Sequence, residues 1–114
     1  MSTADQASTI REVDLGTEAS FEKLPAPVSV DQDEFFLTQD KGGAYHLLST
    51  ICPHSWGTVI NWDTCFMCPD HGWRFERGEG ICINGPRSQM YSFTVTARDG
   101  NVYARIPEDK SQWS

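Results

Sequence analysis

The segments Cys52-Pro53-His54 and Cys68-Pro69-Asp70-His71 constrain this chain more than any other feature. Each brings one thiol and one imidazole into a run of three or four residues, and thirteen residues, 55 to 67, lie between the two segments. Gathering all four side chains at one point forces the intervening chain to double back, so that two ligand loops stand side by side at the end of a short hairpin. Thr58-Val59-Ile60 and Phe66-Met67 read as its strands, and Asn61-Trp62-Asp63-Thr64 as its turn.

Two sulfurs and two nitrogens suit two kinds of centre. Zinc accepts such a set in a closed tetrahedral site, and a [2Fe-2S] cluster accepts it when two histidines replace two cysteines on one iron. Zinc fingers usually group their cysteines together and their histidines together, whereas this chain mixes them within each pair. For the cluster the charge count is favourable. Two ferric irons and two sulfides balance two thiolates, so the oxidised centre is neutral and accepts an electron more readily than an all-thiolate centre, which starts out anionic. Such mixed centres have potentials of roughly −150 to +300 mV.

Cys68 to Phe75 reads C-P-D-H-G-W-R-F. This stretch resembles the second cluster-binding loop of Rieske iron–sulfur proteins, and the resemblance extends from about Ile10 to Ile106. It implies one Rieske-type [2Fe-2S] cluster per chain, with Cys52 and Cys68 on the buried iron and His54 and His71 on the outer one. It also implies that the imidazoles bind through Nδ1 and present Nε2–H outward to a redox partner. High-potential members carry a Ser after the His-Gly of this loop and a Tyr two residues later; Trp73 and Phe75 stand there and have no hydroxyl to donate to the sulfurs. The same members clamp their loops with a disulfide, at positions filled here by Gly57 and Asp70. A low-potential centre is the expectation, since hydrogen bonds to the cluster set the position within the range. Gly57 and Gly72 flank the ligands and allow tight turns, while Pro53 and Pro69 restrict the chain between them. Gly85-Pro86 reads either as a third loop covering the cluster or as an ordinary turn.

Cys65 and Cys82 fall outside the ligand set: Cys65 reads as a spare thiol on the hairpin, or the reactive thiol of a redox sensor, and Cys82 as a small core residue. A disulfide between them does not follow from the sequence. His46, within Ala44-Tyr45-His46-Leu47-Leu48, reads as a strand residue rather than a ligand. Met67, Trp56 and Trp73 lie beside the ligands, as an apolar rim or as hairpin packing.

At 114 residues the chain makes one domain and leaves no room for a second catalytic module. Rieske oxygenase large subunits add a mononuclear iron held by two histidines and a carboxylate. This chain has three histidines, and the cluster would take two, so the sequence argues against oxygen activation by this chain alone. A net charge of −7 disfavours nucleic acid and suits encounter with a basic protein surface. No apolar run reaches membrane-spanning length, and the start lacks the parts of a signal peptide, which points to the cytoplasm and no membrane.

Residues 1–9 read as a disordered tail and 108–114 as a second tail. Between them, over residues 10–107, short β-type runs alternate with turns: Ile10 to Leu15, Pro27 to Val30, Phe35 to Thr38, Tyr45 to Ser49, Met90 to Ala97 and Val102 to Ile106. Gly42-Gly43 and Asp99-Gly100 are the hairpin turns, and Thr17 to Leu24 is the one stretch able to form a turn or two of helix. The fold class is all-β: a Rieske-like antiparallel β-sandwich with a small cluster-binding subdomain inserted over about 51–83. Leu37, Leu47, Ile51, Phe93, Val95, Val102 and Tyr103 are the core candidates. The resemblance implies a soluble, monomeric Rieske-type ferredoxin, not an enzyme in itself, that carries single electrons from an NAD(P)H-dependent flavin reductase to a terminal oxygenase. The alternative is a non-catalytic small [2Fe-2S] subunit fixed in a reductase or oxygenase complex.

Overall fold

Apolar runs broken by Gly and Asp turns form antiparallel strands throughout the computed structural model, which describes residues 10–53, 57–62, 64–70, 72–85, 88–110 and 113. The expected tail at residues 1–9 lies outside that set. The strands are β1 (Ile10–Thr17), β2 (Ala26–Val30), β3 (Asp33–Gln39), β4 (Tyr45–Ser49), β5 (Ile60–Trp62), β6 (Cys65–Cys68), β7 (Trp73–Phe75), β8 (Ser92–Arg98) and β9 (Asn101–Pro107). Six form a sheet in the order β1-β9-β8-β4-β3-β2, and three form a small sheet, β5-β6-β7. The stretch expected to turn helically holds a single 3₁₀ turn, Glu18–Ser20. At Asp99-Gly100 both residues take positive φ, 53° and 81°, the backbone that a two-residue hairpin needs to match strand twist.

β8 joins the two wings of the large sheet. Residues 92–94 pair with β4 and residues 95–98 with β9, so the strand changes partner midway. One apolar cluster draws Phe35 and Leu37 from β3, Leu47 from β4, Phe93 from β8 and Val102, Ala104 and Ile106 from β9. The wings therefore face each other as layers of a sandwich. Alternation along β9 buries Val102, Ala104 and Ile106 and turns Tyr103 outward, where Arg98 lies over its ring at 4.2 Å. Tyr103 is thus not the core residue expected, and Ile51 is likewise only half-buried. Trp113, in the expected C-terminal tail, packs on Phe93 with ring centroids 4.9 Å apart, and its Nε1–H donates to the Pro107 carbonyl at 3.0 Å.

Adjacent apolar residues on a strand point to opposite faces, and two such pairs connect the sandwich to the site. Leu47 enters the main core, while Leu48 enters a second cluster with Cys52, Val59, Phe66, Cys68, Phe75 and Met90. Phe35 likewise faces the main core. Phe36 faces the other way and stacks on Phe66 at 4.6 Å and 16°. Each fully buried Leu or Phe contributes roughly 1.5–3 kcal/mol of burial, so the small sheet is seated by its own apolar base.

Candidate metal centre

Cys52 opens the first loop, directly after β4. An isolated bridge between Ile51 and Thr58 closes the base of that loop, with Val59 N–H donating to the Thr50 carbonyl at 2.6 Å and Cys52 N–H to the Gly57 carbonyl at 2.8 Å. Cys68 ends β6 opposite Trp73 of β7. The chain then turns tightly, with Gly72 at φ +70° and its N–H donating to the Cys68 carbonyl at 2.8 Å. Neither thiol is in a disulfide; both are buried, with Cys52 1% and Cys68 0% exposed, and both belong to the second apolar cluster. His54 and His71 lie outside the described residues, as does Trp56.

The expected hairpin forms with a shift. Asn61 and Trp62 belong to β5, pairing with Phe66 and Cys65, so the turn is shorter than Asn61 to Thr64. The tightness follows from direct pairing of Trp62 with Cys65.

Residues 81–85 pack against the second loop. Ile83 N–H donates to the Arg74 carbonyl at 2.9 Å, and Asn84 completes the contact with its side chain. Its Oδ1 accepts from Arg74 N–H at 2.7 Å, and its Nδ2–H donates to the Gly72 carbonyl at 3.1 Å. Gly85 fits because a Cβ there would come within 2.9 Å of Trp73 Cδ1. Residues 81–85 thus pack on the second loop; Pro86 lies outside the described residues. Sequence reasoning did not identify Asn84, whose one signal is its place just before Gly85-Pro86.

Cys82 forms a bridge opposite Phe75, and Cys65 and Cys82 are both free. Trp73 packs on the second cluster, and Met67 is half-buried. Besides Ile10 at the start of β1, the large exposed apolar groups among the described residues are Ile60, Trp62, Ile81 and Ile83, with the Arg74 guanidinium over the Trp62 ring at 4.8 Å.

A family model described as the Rieske [2Fe-2S] domain matches residues 10–104. The chain belongs to this Rieske [2Fe-2S] domain family. Two buried thiols outside any disulfide, rooted in neighbouring loops, suit the family's cluster, since thiolate is the ligand that iron–sulfur centres require. The Rieske domain is an electron-transfer module, and its cofactor is a Rieske-type [2Fe-2S] cluster. Among sequence relatives, a cholesterol 7-desaturase of Ciona intestinalis is 36% identical over 61 residues, covering 50% of this chain and 13% of that protein. The chain thus spans about an eighth of the length of this relative. Among solved structures, the plasma membrane Rieske protein of Synechocystis PCC 6803 matches with a TM-score of 0.63 at 20% identity, covering 81% of this chain and 97% of that one. Apo dicamba monooxygenase matches with a TM-score of 0.60 at 24% identity, over 89% of this chain and 34% of the larger protein. At these identities the two structures establish the fold of the Rieske domain. Among the described residues, no helix is long and apolar enough to cross a membrane.

Proposed function

We propose that this Rieske domain is a single-electron carrier that holds its [2Fe-2S] cluster with Cys52, His54, Cys68 and His71, taking electrons from an NAD(P)H-dependent flavin reductase and delivering them to a terminal oxygenase. The observation that carries the reading is the burial of Cys52 and Cys68, neither in a disulfide, in one apolar cluster at the roots of two adjacent loops. The cluster supplies reversible one-electron chemistry. The chain supplies the surroundings: the second core keeps water from the two thiolates, the Gly72 turn and the Asn84 side chain fix the second loop, and the first loop is tied at its base. Trp73 and Phe75 have no hydroxyl for the sulfurs, which supports a midpoint in the lower part of roughly −150 to +300 mV.

One structural match, dicamba monooxygenase, is an oxygenase in which a domain of this fold makes up about a third of the chain. That supports an oxygenase as electron acceptor. A net charge of −7 favours rapid encounter with a basic partner and rapid release. The test is anaerobic reconstitution followed by reduction with a flavin reductase and NAD(P)H. A brown protein that gives the paramagnetic signal of a mixed-valence diiron centre, and supports many turnovers of substoichiometric oxygenase, is the expected result. Colourless protein that binds one zinc instead overturns the cluster assignment. A coloured protein that elutes only in a fixed complex with its donor or acceptor overturns the carrier role and makes it a bound subunit.

A further inference from the structure

A second group of metal-binding side chains lies away from the cluster loops. Asp40 follows β3, His46 lies in β4, and Glu79 sits in the turn after β7. Their ligand atoms all lie within 4.8 Å of one another. We propose that Asp40, His46 and Glu79 form a binding site for a divalent transition cation of the zinc class.

The chain positions these donors by hydrogen bonds, and a bound cation would take the place of the one between His46 Nε2 and Asp40 Oδ2. Asp40 uses Oδ1 to accept the N–H groups of Gly42 and Ala44 at 2.9 and 3.0 Å, which fixes the carboxylate and leaves Oδ2 aimed at His46 Nε2, 2.8 Å away. This is the support that metal-binding carboxylates usually receive from neighbouring groups. The turn with Glu79 is fastened to the same strand. The buried Thr38 hydroxyl donates to the Gly78 carbonyl at 2.6 Å, and a Cβ on Gly78 would lie 3.4 Å from Asp40 Cα. The Glu76 carboxylate is consumed within that turn by the N–H groups of Gly78 and Glu79, at 2.7 and 2.6 Å. Glu79 extends from it exposed, and its carboxylate takes no hydrogen bond from another described residue.

Geometry and charge both suit a cation. Nitrogen and oxygen ligands about 2.0–2.2 Å from zinc sit roughly 3.3–3.6 Å apart in a tetrahedral site. The Asp40–His46 pair, now 2.8 Å apart, opens by roughly half an ångström to reach that spacing, and rotation of the exposed Glu79 side chain closes the third edge. Lys41 and Arg77 line the adjoining cleft of about 570 Å³, but Arg77 is turned to the Asn61 side chain. Imidazole with two carboxylates favours zinc-class ions over magnesium or calcium, which prefer oxygen alone. With one histidine it is not the two-histidine, one-carboxylate site of oxygen-activating iron. A bound ion would clip the β3–β4 hairpin to the chain leaving β7.

The test is equilibrium dialysis of the iron-loaded protein against zinc, with zinc and iron counted per chain and the visible spectrum recorded. One zinc per chain is expected at about 0.1 mM free zinc or below, with iron and spectrum unchanged. Glu79→Gln, on an exposed turn, and His46→Gln should each weaken it by more than about tenfold while keeping the iron. Zinc binding equal in both variants, no zinc at that concentration, or zinc uptake matched by loss of iron overturns the proposal.

Discussion

Replacing Asn84 with alanine tests whether a single side chain holds the second ligand loop in place. The change removes an acceptor for Arg74 N–H at 2.7 Å and a donor to the Gly72 carbonyl at 3.1 Å. A typical hydrogen bond contributes about 0.5–1.5 kcal/mol net. Asn84 is exposed, so water compensates part of the loss, and the expected cost is about 1–2 kcal/mol in total. For a domain of this size that corresponds to a fall in melting temperature of about 5–10 °C. Because both partners flank the turn between Cys68 and Trp73, the loss should be accompanied by a changed visible circular dichroism of the bound cluster and faster loss of iron. The assay is thermal unfolding of the oxidised, iron-loaded protein, read in parallel at the cluster bands and in the far ultraviolet. A variant melting within about a degree of the parent, with an unaltered cluster spectrum, would refute the idea that the segment 81–85 supports the site.

Phe66→Ala should cost about 3–5 kcal/mol, because Phe66 is fully buried and stacked on Phe36; chemical denaturation of variant and parent checks this. Gly85→Ala should loosen the covering segment, since its Cβ would meet Trp73 Cδ1 at 2.9 Å, and a shift in Trp73 fluorescence with a lower melting temperature is the readout. Replacing either Cys52 or Cys68 with serine should abolish or strongly reduce cluster incorporation, measured as iron per chain, whereas Cys65→Ser should leave it unchanged. The hydrogen bond from His46, followed by that from Ala44 N–H, holds the Asp40 carboxyl below the usual carboxylate range. A lowered folded-state value stabilises the protein above about pH 4 and is lost as pH falls through that lower value. The stability gap between parent and Asp40→Asn should therefore narrow on acidification below about pH 4, as followed by unfolding at a series of pH values.

Much of the strand order was legible because it rests on local signals. Asp99-Gly100 announces its hairpin by composition, and alternation in Val102 to Ile106 marks a strand with one buried face. The same alternation argues against Tyr103 in the core, since it puts Tyr103 on the face opposite Val102 and Ala104. The consecutive pairs Phe35-Phe36 and Leu47-Leu48 carry a signal that local reading misses, since only a strand covered on both faces keeps both residues from water. The ligand spacing revealed the two loops and the thiols at their roots. Asn84, Trp113 and the meeting of Asp40 with Glu79 were not legible, because each depends on contacts between segments whose mutual placement no local pattern encodes. Composition places Trp62 within the turn Asn61 to Thr64, yet its pairing with Cys65 extends the strand to it.

β4 and β8 lie side by side, with Leu47 opposite Phe93 and Leu48 opposite Ser92, although some forty residues of chain leave from one and return to the other. The ligand-bearing segment is therefore a detour with adjoining exits, which a short linker could replace without parting the large sheet. The scaffold left behind would display Phe36 and Leu48 as a bare greasy footprint. Transplanting the redox tip to another sandwich would succeed only where the host offers the same apolar seat.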